Sequence, residues 1–119
     1  MLDLAEWNRC GPWLQAALDH AGNTHALDNV REMVERGEAQ FWPASCSAVV
    51  TEIIEYPRCK ALRFWLVGGD LAELRRIQPV IEAWGRHIGC ARAEGAGRRG
   101  WERALRDYRQ LAVMYTKEL

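Results

Sequence analysis

The stretch Ala48-Val49-Val50-Thr51-Glu52-Ile53-Ile54-Glu55-Tyr56-Pro57, followed by Leu62-Arg63-Phe64-Trp65-Leu66-Val67-Gly68-Gly69-Asp70-Leu71, decides the fold. Both runs are rich in β-branched and aromatic residues, and Tyr56-Pro57 separates them. With Gln40-Phe41-Trp42 upstream they predict three strands, over 40–42, 48–54 and 62–67, in an antiparallel meander. Val50, Glu52 and Ile54 alternate with Val49, Thr51, Ile53 and Glu55. The sheet is therefore expected to have a core side and a wetter side. Gly68-Gly69 ends the third strand and Asp70 can cap a helix. On that helix Leu71, Leu74, Ile77, Ile81, Trp84 and Ile88 recur every three or four residues, so it should cover the sheet. Pro79 inside it should bend it or mark a break.

Towards the N-terminus, Gly11-Pro12 reads as a helix start, because proline suits a first turn, and Trp13, Leu14, Ala17, Leu18 and Ala21 follow at helical spacing. Gly22-Asn23 should stop that helix. A second helix is expected to open at Thr24 or Asp28, carry Leu27, Val30, Met33 and Val34 on one face, and end at Gly37. Beyond the long helix, a short strand at 90–93, a helix at about 98–107 and a last strand at 111–116 complete the order ααβββαβαβ. This is an α/β (α+β) chain with a mixed, mostly antiparallel sheet flanked by helices. Its 119 residues suit one domain, 1–119, in which residues 1–25 could form a helical extension.

Sixteen basic residues balance sixteen acidic ones, so no net field draws the chain to nucleic acid or an anionic membrane. A nucleic-acid or anion binder would need a local patch, for which Arg92, Arg98, Arg99, Arg103, Arg106 and Arg109 are the candidates; a solvated helix face is the plainer reading. The four cysteines, Cys10, Cys46, Cys59 and Cys90, form no CxxC pair and read as small buried hydrophobes. His20, His25 and His87 lack HxxxH spacing and cysteine neighbours, so no metal site is expected. No apolar run approaches the roughly 20 residues of a membrane span. The chain is expected in the cytoplasm, or carried inside a particle made there.

Gly95-Ala96-Gly97-Arg98-Arg99-Gly100 matches GxGxxG, but too little chain follows to complete a dinucleotide-binding βαβ unit. What survives is an anion site at Gly97, Arg98, Arg99 and Gly100, where free N–H groups at a helix start would sit beside two guanidinium groups; a tight turn is the competing reading. Glu52 and Glu55 could serve as a general base if held over a cleft, though a surface role is commoner for such glutamates. The six tryptophans are many for this length. Most should be core, and Trp7 and Trp13 are the candidates for anchoring a partner.

Two sets of segments, residues 52–57 with 66–71 and 81–86 with 89–90 and 97–103, resemble the small proteins of the Gcn5-related N-acetyltransferase (GNAT) superfamily encoded by tailed phages and prophages. The likeness runs from about residue 29 to 119. It implies that strand 62–67 leads into the loop which, in the enzymes, reads Q/R-x-x-G-x-G/A and binds the pyrophosphate of acetyl-CoA. Here that region reads Val67-Gly68-Gly69-Asp70, without the leading Gln or Arg and with a carboxylate where diphosphate would approach. The tyrosine general acid of the last helix is also not carried over, Tyr108 looking more like the aromatic of the Gly-Phe pair that follows it in the enzymes.

Two readings follow. The favoured one is a phage-type accessory or virion-associated protein that binds a phage or host protein, or itself, with no cofactor. The alternative is an acetyl-CoA-dependent N-acetyltransferase, with Val67, Gly68 and Gly69 at the cofactor and Glu52 or Glu55 as base.

Overall fold

The structure, a computed structural model, describes residues 1–97, 105 and 107–119. Seven elements follow one another: α1 (Leu4–His20), α2 (Leu27–Glu35), β1 (Gln40–Pro43), β2 (Ser47–Glu55), β3 (Lys60–Gly69), α3 (Leu71–His87) and β4 (Arg92–Gly95). They reproduce the first seven of the nine expected. Most of the helix expected at 98–107 lies outside the described residues. The strand expected at 111–116 does not form: those residues carry no regular structure and are exposed.

The strands lie in the order β1-β2-β3-β4. The two hairpin connections make β1/β2 and β2/β3 antiparallel, whereas α3 crosses over to bring β4 in parallel to β3. Opposite Val50 and Thr51 the partner changes from Leu66 to Phe64, which leaves Trp65 as an extra residue in β3, a bulge. Consequently Trp65 and Leu66 both serve the α1 side, while Phe64 and Val67 serve the α3 side.

Each face of the sheet carries its own core. Trp7, Cys10, Leu14 and Leu18 of α1 and Val30 of α2 bury Ala48, Val50 and Leu66 from one side. Leu74 and Ile81 of α3 bury Val49 and Leu62 from the other. The expected division into a dry and a wet face is thus corrected. Residues 47–51 are buried without a break, and 52–55 become progressively exposed, so the boundary runs across the strands. Helices on both faces demand apolar side chains at successive positions; the α1-side cluster includes none of residues 52–55, whereas the α3-side cluster still includes Ile53, Leu62 and Ala93.

The first helix also starts earlier than expected. Asp3 Oδ1 accepts from the Ala5 and Glu6 N–H groups at 3.0 and 3.2 Å, a side-chain cap that fixes the start at Leu4. Trp7, Cys10, Leu14 and Leu18 then form one buried stripe straight through Pro12. Pro12 is on the exposed side, where water can satisfy the carbonyl that its missing N–H leaves unpaired. Pro79 is likewise exposed, and α3 runs through it to His87. Neither Thr24 nor Asp28 caps α2. Its start is held by Asn29 Oδ1 accepting from the Ala26 N–H at 2.8 Å, while the Thr24 hydroxyl bonds His25 Nδ1. The expected stops hold, with Gly22, Asn23 and Gly37 all at positive φ.

Of the cysteines only Cys10 is fully buried; Cys46 is exposed and Cys59 and Cys90 lie between, which corrects the expectation for all four. Among the described residues, no helix is long and apolar enough to cross a membrane.

Candidate functional site

Ligands of open α/β sheets gather outside the carboxyl ends of parallel strands. In this chain that place is bounded by the ends of β3 and β4 and by the first turn of α3. The pair is joined only from Ala61↔Arg92 to Phe64↔Gly95, and β3 continues to Gly69 without β4 beside it. Val67, Gly68 and Gly69, the residues expected at a cofactor, are on this continuation.

Both glycines are already required by the chain's own packing. A Cβ on Gly68 would fall inside van der Waals contact with the Trp13 carbonyl, so glycine there lets α1 lie against β3. Gly69 has φ 114, and a Cβ on it would collide with the Cys46 carbonyl and with Ser47. The turn is also minimal, since β3 ends at Gly69 and α3 begins at Leu71. Asp70 alone connects them.

The α3 N-terminus is then occupied by carboxylates from within. Asp70 Oδ2 accepts from the Glu73 N–H at 2.9 Å, the Asp70 N–H donates to the Cys46 carbonyl at 3.0 Å, and Glu73 Oε1 accepts from the Cys46 N–H at 2.8 Å and from the Ser47 hydroxyl. The Ser47 hydroxyl first, and the Cys46 N–H second, hold the Glu73 carboxyl below the usual glutamate range. It is charged at neutral pH. A helix N-terminus offers about half a positive charge, and here two whole negative charges face it. Asp70-Leu71-Ala72-Glu73 is the sequence signal for this pair, because an acidic N-cap followed three residues later by Glu is the capping-box spacing. That Glu73 reaches β2 rather than its own N-cap could not be read locally.

At the opposite end of the sheet, register aligns Glu52, Arg63 and Glu94 across β2, β3 and β4. Arg63 Nη2 donates to the Tyr56 hydroxyl at 3.2 Å, which donates to Glu94 Oε2 at 3.1 Å, and the Arg92 guanidinium lies 5.4 Å from the centre of the Tyr56 ring. Glu55 is 75% exposed, 3.7 Å from Lys60 Nζ across the hairpin. From Arg63, opposite Glu52, to Gly69 is roughly 20 Å of strand at about 3.3 Å per residue. The structure therefore does not bring the candidate bases together with the candidate cofactor loop; only a ligand extended along β3 could touch both.

The other expected sites fare differently. Trp7 is 2% exposed and meets Phe41 edge-on at 5.0 Å, so it is a core residue and is closed to a partner. Trp13 is half-buried with Arg9 over its ring at 5.8 Å. Trp42 packs on Trp84 and donates Nε1–H to Thr51 Oγ1, and Trp65 packs on His25, so these indoles serve the interior. Of the anion-site residues, Gly97 is exposed, and Arg98, Arg99 and Gly100 lie outside the described residues, as do Trp101, Arg103 and Arg106. Tyr108 is half-buried, and its hydroxyl donates to Glu82 Oε2 at 2.5 Å. Burial first, and that carboxylate second, push the phenol well above its usual range. Among the described residues, no three His, Cys, Asp or Glu side chains cluster as metal ligands.

With this geometry, the chain is similar in structure to a probable acetyltransferase, with a TM-score of 0.68 over 98% of this chain and 97% of that one, at 5% identity. The fold is GNAT-like. A tetramutant of the BH1408 protein from Bacillus halodurans matches at 0.65, over 98% and 94% of the two chains, with 15% identity. No protein-family model and no curated protein matches the chain. At these identities the likeness is one of fold, and a GNAT-like fold can carry unrelated functions.

Proposed function

We propose that this chain uses its GNAT-like fold as a scaffold for protein binding and does not transfer acetyl groups, in the manner of the phage-type accessory or virion-associated proteins that its sequence resembles. One observation carries the reading: the α3 N-terminus, where a diphosphate would be bound, already holds Asp70 and Glu73, and both glycines of the turn are needed for internal packing. A diphosphate arriving there would meet like charge. Removing one carboxylate would not create a site, because the turn itself has no length to wrap a phosphate.

The alternative, an acetyl-CoA-dependent N-acetyltransferase with Glu52 or Glu55 as base, is favoured by the structural likeness to a probable acetyltransferase and by the continuation of β3 past Phe64 without β4 beside it. Isothermal calorimetry with acetyl-CoA separates the two. The scaffold reading expects no saturable heat at millimolar ligand, and dissociation in the micromolar range would establish the enzyme. Filling the turn at Gly69 is no control, since any side chain there strains the backbone and strikes Cys46 and Ser47.

A further inference from the structure

We infer that the partner of this scaffold is an acidic peptide segment, which seats one aliphatic side chain in a cleft between the end of α3 and the start of β4. The inference rests on the protein-binding reading and names the chemistry such binding uses. Its place is the amino end of the β3–β4 pair, away from the turn at 67–73, so the two can fail separately.

The cleft exists because small residues line it. At Gly85, α3 comes so close to β3 that a Cβ would stand 3.0 Å from Leu62 Cδ2, and beside that contact the chain offers only residues such as Cys90 and Ala93. They leave a cavity of about 160 Å³, with buried Leu62 at its floor and Glu82 and exposed Arg86 at its rim. Leu62, Cys90 and Ala93 already belong to the α3-side core. Apolar cavities of about 150 Å³ accept a benzene-sized guest, so one leucine- or isoleucine-sized side chain fits. The walls are fixed before a partner arrives: the Cys90 N–H donates to the Gly85 carbonyl at 2.9 Å and the Ala91 N–H to the Lys60 carbonyl at 2.8 Å. A preformed pocket spares the partner the cost of ordering it.

Charge decides what flanks that side chain. The carboxylates nearby are engaged: Glu82 Oε2 accepts from the Tyr108 hydroxyl and from Gln78 Nε2, and Glu55 stands 3.7 Å from Lys60 Nζ. Lys60 also donates to the Ile88 carbonyl at 3.0 Å, which meets the negative end of α3. Arg86, by contrast, is exposed and joins no ion pair among the described residues, and neither does exposed Arg58 on the β2–β3 turn at the same end of the sheet. A guanidinium group pairs best with a carboxylate that it can hold through two N–H donors. Two such groups at one end of a chain of zero net charge favour an acidic partner there, whereas Asp70 and Glu73 would repel it from the α3 N-terminus.

Titration of the ¹⁵N-labelled full chain with acetyl-Asp-Glu-Leu-Glu-Asp-amide tests this. Saturable shifts are expected at the amides of Gly85, Arg86, Cys90 and Ala93, with Gly69 to Ala72 unmoved. Replacing the peptide's leucine by glycine, or its acidic residues by lysine, should weaken binding at least about 10-fold. Arg86→Glu in the protein should do the same, and so should Ala93→Leu, which fills the cleft. Because Arg86 is exposed, R86E should keep the wild-type urea midpoint, which separates lost binding from lost folding. No saturable shift at these four amides up to about 5 mM peptide, equal binding of either altered peptide, or R86E binding as tightly as the wild type would each overturn the acidic partner. The protein-binding reading would still be decided by acetyl-CoA.

Discussion

The turn at 67–73 and the segment at 109–119 are opposites. In the turn, the chain meets its own demands: Asp70 and Glu73 accept from backbone and hydroxyl donors, and Gly68 and Gly69 make room for α1 and for Cys46-Ser47. In the terminal segment Leu111, Val113, Met114 and Tyr115 face solvent. The first looks in sequence like a ligand loop, yet its ligands are internal. The second reads as a core strand, yet its apolar side chains are exposed. Residue types announce which groups need partners, and only packing shows whether the chain supplies them.

That contrast breaks most readily at Gly68. Replacing it with Val places atoms against the Trp13 backbone, which cannot yield as a flexible side chain would, and should cost more than about 3 kcal/mol in urea unfolding. A variant of near wild-type stability would mean that α1 does not lie on β3 as described, leaving Gly68 available to a ligand.

A smaller effect is expected at the helix cap. Asp70→Ala should lose about 1 kcal/mol, measured by the same unfolding curves, and Asp70→Asn should recover most of it, because an amide oxygen can still accept from the Glu73 N–H. If both variants behaved like wild type, the carboxylate would be free for other work.

Glu73 sharpens the comparison through pH. Its folded-state pKa lies below the ordinary glutamate value of 4.5, so its contribution is complete above that value and disappears as pH falls through the lower, folded one. Thermal melts of Glu73→Gln against wild type should therefore differ at pH 7 and converge in acid. Parallel curves down to pH 3 would show that the Ser47 and Cys46 bonds contribute nothing.

The smallest change belongs to the terminal segment. Val113→Pro should shift the unfolding free energy of the monomer by less than about 0.5 kcal/mol, since the side chain packs on no buried residue. A loss near that of Gly68→Val would place the segment in the core after all.

Local signals were legible wherever local chemistry decides. The meander, the Asp70 cap and the stops at Gly22 and Gly37 all follow from side chains within a few residues of the feature. The start of α1 was misplaced because Pro12 looks like a first-turn residue, whereas Asp3 and a stripe from Trp7 to Leu18 override it from further away. The sheet's wet boundary depends on how far two separate helices reach, which the alternation within β2 alone does not encode. For the site, Gly68, Gly69 and Asp70 could be identified in sequence, but the Glu73 bonds to Cys46 and Ser47 span more than twenty residues and leave no short-range mark.

The central claim is that the α3 N-terminus carries two carboxylates, Asp70 and Glu73, already engaged within the chain. A titration of the ¹⁵N-labelled protein with acetyl-CoA, followed at the amides of Gly69, Asp70, Leu71 and Ala72, tests it most directly. The account predicts no saturable shift at these four positions up to millimolar ligand. Saturable shifts converging on them, with a micromolar midpoint, would contradict it.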